Sequence, residues 1–200
     1  MTPRRRLRTL FVAVLAALAG IIGFDAPARA ANCFPVAGLP GAAPHAALQR
    51  ASLQVAQAPM GLLARGTVEL TFLGHSSFLI RTPLSVTAIT DYNGMNRAGF
   101  APDIVTMNHA HSSHYTDFIE PGVKHVLRGW ATPEAGYPRH DLRLRDLRVR
   151  NVATDIRDFQ GGTEFAGNSI FIFETDDLCL AHFGHLHHGL TPDRIGRIGQ

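Results

Sequence analysis

From Thr67 onward, apolar and polar residues alternate. Val68, Leu70 and Phe72 are separated by polar neighbours, the period-two pattern of a strand with one buried face. Ser77 to Arg81 and Val86 to Thr90 are further short apolar runs, divided by Gly74-His75 and Thr82-Pro83, so three strands in close succession are predicted. A Gly- and Asn-rich loop follows Asp91. The run from Ile104 to Met107 then stops at a group of histidines, as a buried strand does on reaching a site. Val123 to Leu127, Leu147 to Val152, Ser169 to Glu174 and Leu178 to Ala181 are the later strand candidates. Helix is expected mainly after Thr191, which can cap, with Pro192 in the first turn and Ile195 and Ile198 at helical spacing. Many strands followed by a βα step predict an α+β sandwich layer, and no internal repeat argues for an array.

The chain upstream has a different character. Arg4, Arg5, Arg6 and Arg8 precede an apolar run from Leu10 to Gly23, and Ala28-Arg29-Ala30 places small residues where a signal peptidase reads. Residues 1–30 read as a signal peptide cut after Ala30. The apolar run is about 14 residues against the roughly 20 that cross a bilayer, so no stable membrane insertion is expected once the leader is removed. The adjacent arginines also admit twin-arginine export. Residues 31–65 read as an Ala/Pro/Gly-rich extension with one amphipathic stretch at Ala46 to Ala56, and residues 66–200 as the single domain.

Removing the leader changes the charge. The whole chain has 19 Lys+Arg and 16 Asp+Glu; without the leader's five arginines and Asp25, 14 and 15 remain. A net charge of −1 leaves no footprint for nucleic acid. Arginines concentrate in the run from Arg139 to Arg150, but Asp141 and Asp146 interleave with them, so a solvated, self-paired stretch is expected. Of the two cysteines, Cys33 and Cys179, pairing is permitted in an oxidising compartment. The simpler expectation is an unpaired terminal Cys33 and a buried, inert Cys179.

Chemistry concentrates at His109, His111 and His114, three imidazoles within six residues at a predicted strand end. In an extended stretch residues two apart point the same way, so His109 and His111 can offer nitrogens to one ion while His114 turns towards a neighbouring position. The histidines at 182, 185, 187 and 188 crowd a second loop.

The segment His109-Ala110-His111-Ser112-Ser113-His114 resembles the His-x-His-x-Asp-His signature of the metallo-β-lactamase superfamily, which lies at a strand end in an αββα sandwich. Leu73-Gly74-His75-Ser76-Ser77-Phe78-Leu79-Ile80, Thr90-Asp91, Pro102-Asp103, Gly161-Gly162, Gly167-Asn168 and His182-Phe183-Gly184-His185-Leu186 are similar to landmarks of the branch containing L-ascorbate-6-phosphate lactonase-like proteins. The resemblance implies that fold, with only the N-terminal part of the domain present, because the family continues with further strands and a last ligand histidine. Three positions depart from it. Ser113 stands where the signature has aspartate, Arg157 where the branch has a histidine, and His185 where an aspartate bridges two metals.

These changes remove carboxylates and add a cation, which argues for one zinc rather than two. The expected ligands are His109, His111 and His185, with His114 adjacent and with His185 preferred over His182 or His188 by its alignment to the bridging aspartate. Asp91 is expected to accept a proton or support a ligand. The function this implies is a periplasmic or secreted zinc hydrolase using metal-bound hydroxide on a small-molecule ester, lactone, phosphoester or amide. Its alternative is a non-catalytic relative that keeps the fold to bind a ligand or metal.

Overall fold

The computed structural model describes residues 61–109 and 111–199; the leader, the Ala30 cut, Cys33 and the Ala46–Ala56 stretch lie outside them. A five-stranded sheet has the order β1 (Glu69–Gly74), β2 (Ser77–Arg81), β3 (Thr87–Ile89), β4 (Ile104–Met107), β5 (His125–Arg128). β1, β2 and β3 pair antiparallel, whereas β3–β4 and β4–β5 are parallel. A second, antiparallel sheet contains β6 (Asp141–Leu144), β7 (Leu147–Arg157), β8 (Thr163–Thr175) and β9 (Leu178–His182) in that order. One helix, α1 (Pro192–Ile198), follows, and among the described residues no helix is long and apolar enough to cross a membrane.

Alternation along the strands sorts the side chains into layers. Ile80, Ala88, Ile104 and Leu127 of the first sheet meet Leu147, Val149, Phe171 and Phe173 of the second in one buried cluster. Their strand neighbours Leu79, Ile89, Val105 and Val126 face the other way, where Tyr92, Tyr115, Ile119 and Trp130 from the loops cover them. β4 is therefore buried at all four positions and reads as a continuous apolar run, as parallel central strands do. On the far face of the second sheet, Val152, Ile170 and Ile172 lie under Leu190 and Ile198. This is the expected α+β sandwich.

The helix starts where the capping pattern places it, with Thr191 Oγ1 accepting from Arg194 N at 3.3 Å. Two strands run longer than their apolar patterns. β7 and β8 extend to Arg157 and back to Thr163, and a register shift between Thr154 and Ile156 breaks the alternation on which the sequence reading depends. Asp158 Oδ1 closes their hairpin by accepting from Gln160 N and Gly162 N.

Two expectations are corrected. The arginine-rich stretch is not simply solvated: it forms the β6–β7 hairpin, and besides Asp141 its arginines reach the buried carboxylate of Glu174. Arg148 Nη1 donates to Glu174 at 2.9 Å and Arg150 Nε at 2.6 Å. Arg150 also donates to the carbonyls of Arg197 and Ile198, placing a cation at the C-terminal end of α1, where the helix dipole favours one. Cys179 is likewise not a buried thiol. It is exposed and disulfide-bonded, because outward positions on the edge strand β9 are open to solvent.

Asp155 ties α1 to β7. Its carboxylate accepts from Ala166 N at 3.0 Å and from Arg194 Nη2 at 2.7 Å. Burial alone pushes this carboxyl up, but the Ala166 amide and the Arg194 guanidinium, with His188 further off, hold it below the ordinary aspartate value. A carboxyl whose folded pKa is depressed contributes stability that is complete above its unfolded pKa, near 4, and is lost as pH falls through the lower folded value. Protection factors of the α1 amides, exchange rates corrected for the intrinsic pH dependence, should fall on acidification below about pH 4. Asp155→Asn should weaken that acid dependence and raise exchange already at neutral pH.

Candidate metal centre

The loops at the ends of β3, β4 and β9 converge on one carboxylate. Asp91 follows β3, has no solvent exposure and adopts a left-handed backbone conformation at φ 43°, which aspartate tolerates better than most residues. Ser77 Oγ donates to its carbonyl at 2.9 Å. Its side chain accepts from Asn108 Nδ2 at 2.7 Å and from His114 Nδ1 at 2.9 Å. Asn108 is itself fully buried, and its Oδ1 accepts from Ser169 N of β8, so one side chain joins the carboxylate to the opposite sheet. A tight turn brings His114 back, with its N donating to His111 O at 2.8 Å. His182 Nε2 lies 3.8 Å from Asp91 Oδ2 and 3.0 Å from Ser76 O.

Above this carboxylate the imidazoles gather. Ring centroids are 4.7 Å apart for His111 and His185, 5.0 Å for His114 and His185 and 6.2 Å for His111 and His114, with His187 4.3 Å beyond His185. His185 is fixed by its backbone, whose N donates to Asn168 Oδ1 at 3.0 Å; Asn168 is buried and also donates to Thr154 Oγ1. Gly184, at φ 60°, passes between Asn108 and Asn168 with no room for a side chain. A Cβ there would lie 2.5 Å from Asn168 Oδ1 and closer still to Asn108 Nδ2.

Three of the four histidines singled out in the sequence thus come together, and His109 does not. Its Nδ1 lies 2.8 Å from Glu164 Oε1, and its ring stacks on Trp130 at 5.4 Å and approaches Tyr115 at 5.6 Å. The two-residue spacing of His109 and His111 implies a shared direction only while the chain stays extended. β4 ends at Met107, so that condition fails and His114 stands where His109 was expected. Ser113 contributes its carbonyl to Asn93 Nδ2. Arg157 is exposed, and its backbone N donates to His187 Nδ1 at 2.7 Å. Asn108 and Glu164, which the sequence reading did not single out, carry no motif of their own; only Asn108's place directly before His109 points to it.

Burial pushes the His185 imidazolium pKa down, and His187, His114 and His111 add to this against the opposing pull of Asp91. Burial, then Arg157, His188 and His111, do the same for His187. Both rings are held towards the neutral form that binds metals.

Several features fit a metal ion here. Imidazoles sharing one tetrahedral zinc, at Zn–N distances of about 2.0–2.1 Å, have ring centroids about 5 Å apart. His185 Nδ1 is buried without a hydrogen-bond partner. His114 presents Nδ1 to a carboxylate, leaving Nε2 free to face the cluster, the arrangement in which an outer carboxylate orients a metal-binding imidazole. Among the described residues, however, no group of three or more His, Cys, Asp or Glu side chains is placed to hold a metal ion. The residues are of the type that binds zinc, and their side chains would have to rotate to bring three nitrogens to a common point.

Gly184→Ala should displace Asn108 or Asn168, both buried and hydrogen-bonded. The left-handed backbone and the overpacking together should cost about 1–3 kcal/mol in denaturant unfolding, and the His114 and His185 ring resonances should shift with it.

The family model described as the β-lactamase superfamily domain matches residues 69–200. No curated protein matches the chain. Among solved structures, one from Thermotoga maritima, titled as a candidate Zn-dependent hydrolase of the metallo-β-lactamase superfamily, is 20% identical with a TM-score of 0.46, covering 67% of this chain and 57% of that one. Another from Parabacteroides distasonis, titled as a candidate metal-dependent hydrolase, is 15% identical with a TM-score of 0.44, covering 58% and 60%. This chain therefore spans less than two thirds of either structure. With the family's domain matched over two thirds of the sequence and its two packed sheets in place, the chain belongs to the β-lactamase superfamily.

Proposed function

We propose that this chain is an exported metal-dependent hydrolase that holds one zinc ion through His111, His114 and His185 and acts on a small-molecule ester, lactone, phosphoester or amide. The observation that carries the reading is the group of three imidazoles over a buried carboxylate, with His185 Nδ1 unpartnered. Superfamily membership supports the reaction class, and the motifs from Leu73 to Ile80 and from His182 to Leu186 support the L-ascorbate-6-phosphate lactonase-like branch. Export is supported by the leader pattern and by the disulfide at Cys179, a bond that persists in oxidising compartments.

A zinc ion bound there would supply Lewis acidity and bring the pKa of water near neutrality. The protein's own contribution is orientation. Asp91 accepts the His114 Nδ1 hydrogen and fixes which nitrogen faces the cluster, Asn108 holds Asp91 against the second sheet, and Asn168 sets the backbone at His185. His182 Nε2 stands 3.8 Å from the same carboxylate and Ser76 Oγ 3.3 Å from His114 Nδ1, so both border the Asp91–His114 pair.

A second reading, a non-catalytic protein that binds a metal or ligand, is favoured because no described group of side chains is placed to hold a metal and because Ser113 stands in place of a carboxylate. Turnover separates the two.

Protein purified without chelators should contain about one zinc per chain, reduced to background in His111→Ala and His185→Ala but retained in His109→Ala. Loss in His109→Ala with retention in His185→Ala would contradict the assignment of ligands. Asp91→Asn should weaken zinc binding about 10–100-fold, measured by competition with a chromophoric chelator. Hydrolysis of a lactone and ester panel should stop on chelation and return with zinc; metal binding with no turnover of any substrate would favour the second reading.

A further inference from the structure

The second sheet borders a cavity of about 550 Å³ that the metal centre does not use. It opens because β6 is short: the β6–β7 ladder ends where Asp141 pairs with Arg150, while β7 runs on to Arg157. The loop from Tyr137 to His140 forms one wall beside β7, and the last turn of α1, at Arg197, forms another. We propose that this cavity binds a small organic molecule through a doubly charged oxyanion of the phosphomonoester kind, clamped between Arg139 and Arg197.

Charge decides the class of ligand. Among the described residues the lining sets Arg139, Arg150 and Arg197 against one acid, Asp141. Both oxygens of Asp141 are taken by Arg148, from Nε at 2.7 Å and Nη2 at 2.9 Å, and the buried Glu174 takes Arg148 and Arg150. Those two carboxylates offset Arg148 and Arg150, so two positive charges are left over. Among the described residues neither the Arg139 nor the Arg197 guanidinium has a hydrogen bond or an ion pair, and both residues are exposed.

The neighbouring polar side chains are already engaged. Arg150 places Nε on Glu174, Nη1 on Arg197 O and Nη2 on Ile198 O. Asn151 gives Nδ2 to Pro138 O and Ser169 Oγ and accepts His140 N on Oδ1. The side-chain donors left for a ligand are two guanidiniums and the Tyr137 hydroxyl, a set that selects an oxyanion over a neutral polyol.

Both walls are set in advance. His140 donates from Nε2 to Arg128 O at 2.7 Å and stacks its ring on Phe171, which fixes the loop that carries Arg139. Arg150 holds the α1 carbonyls on the other side. An anion therefore gains from both arginines without ordering either backbone. The volume falls within the range of about 300–1,000 Å³ typical of small-molecule sites, so an organic body the size of a single ring fits beside the oxyanion and against Tyr137. The cavity is separate from the imidazoles. Ala153 lines it, and Arg157, whose N meets His187, lies about 13 Å further along β7 at the usual rise of a strand.

Titration of the full chain with phenyl phosphate and with inorganic phosphate, followed by amide chemical shifts, tests this. The expected result is saturable binding that moves the Arg139, Val152 and Arg197 amides and persists in His111→Ala. It should weaken at least about tenfold in Arg139→Gln and in Arg197→Gln and fall with added salt. Both arginines are exposed and unbonded, so these variants keep the fold. Phenol, which lacks the charge, should not compete. Shifts confined to the loop from His182 to His188, with binding lost in His111→Ala, would put the phosphate on the metal centre and overturn the site. Binding indifferent to both arginine substitutions, or no saturable binding of either probe, would overturn it as well.

Discussion

A carboxylate without solvent exposure needs donors on its oxygens, because an unmet charge in the interior costs several kcal/mol. Asp91 meets that need with Asn108 and His114, and the consequences reach across the molecule. Asn108 is the residue directly after β4, and its remaining amide oxygen takes the Ser169 amide of β8, so the same side chain that satisfies the carboxylate also connects the two sheets. His114 can reach Asp91 only because the chain turns back at His111. Gly184 then passes between Asn108 and Asn168 where no side chain fits, and this sets where His185 stands. The imidazole cluster is thus a consequence of satisfying one buried charge.

The positions that depart from the superfamily signature fall into place around this carboxylate. Ser113 supplies a backbone carbonyl to Asn93, and Arg157 supplies a backbone amide to His187, so neither side chain is needed for the contacts described. Burial and the neighbouring imidazoles of His187, His114 and His111 push the His185 pKa down, towards the neutral ring. The remaining donor set is three imidazoles with one carboxylate behind them.

Much of the fold could be read from alternation alone. The β2 to β4 strands and the two-sheet sandwich follow from where apolar side chains recur, since burial imposes that periodicity; β1 keeps the alternation, but its Leu70 and Phe72 are exposed, not buried as the pattern implies. β6 keeps strand alternation at Leu142 and Leu144 but is only four residues long and lies within the arginine-rich stretch read as solvated, and the ends of β7 and β8 escaped because a register shift disrupts their alternation. At the site, residue type was legible and direction was not. His109 and His111 look equivalent by spacing, yet the first turns to Glu164 and Trp130, partners distant in sequence. Cys179 shows the same limit, because composition permits a disulfide but only the fold exposes the edge on which it forms.

The central claim is that Asp91 fixes the tautomer of His114 and so aims its Nε2 at the cluster. Nitrogen-15 chemical shifts of His114 in histidine-labelled, metal-free protein test this most directly. The account predicts a protonated Nδ1 and an unprotonated Nε2 at neutral pH, with that preference lost in Asp91→Ala. A proton on Nε2 in the wild-type protein, or a tautomer indifferent to the loss of Asp91, would contradict it.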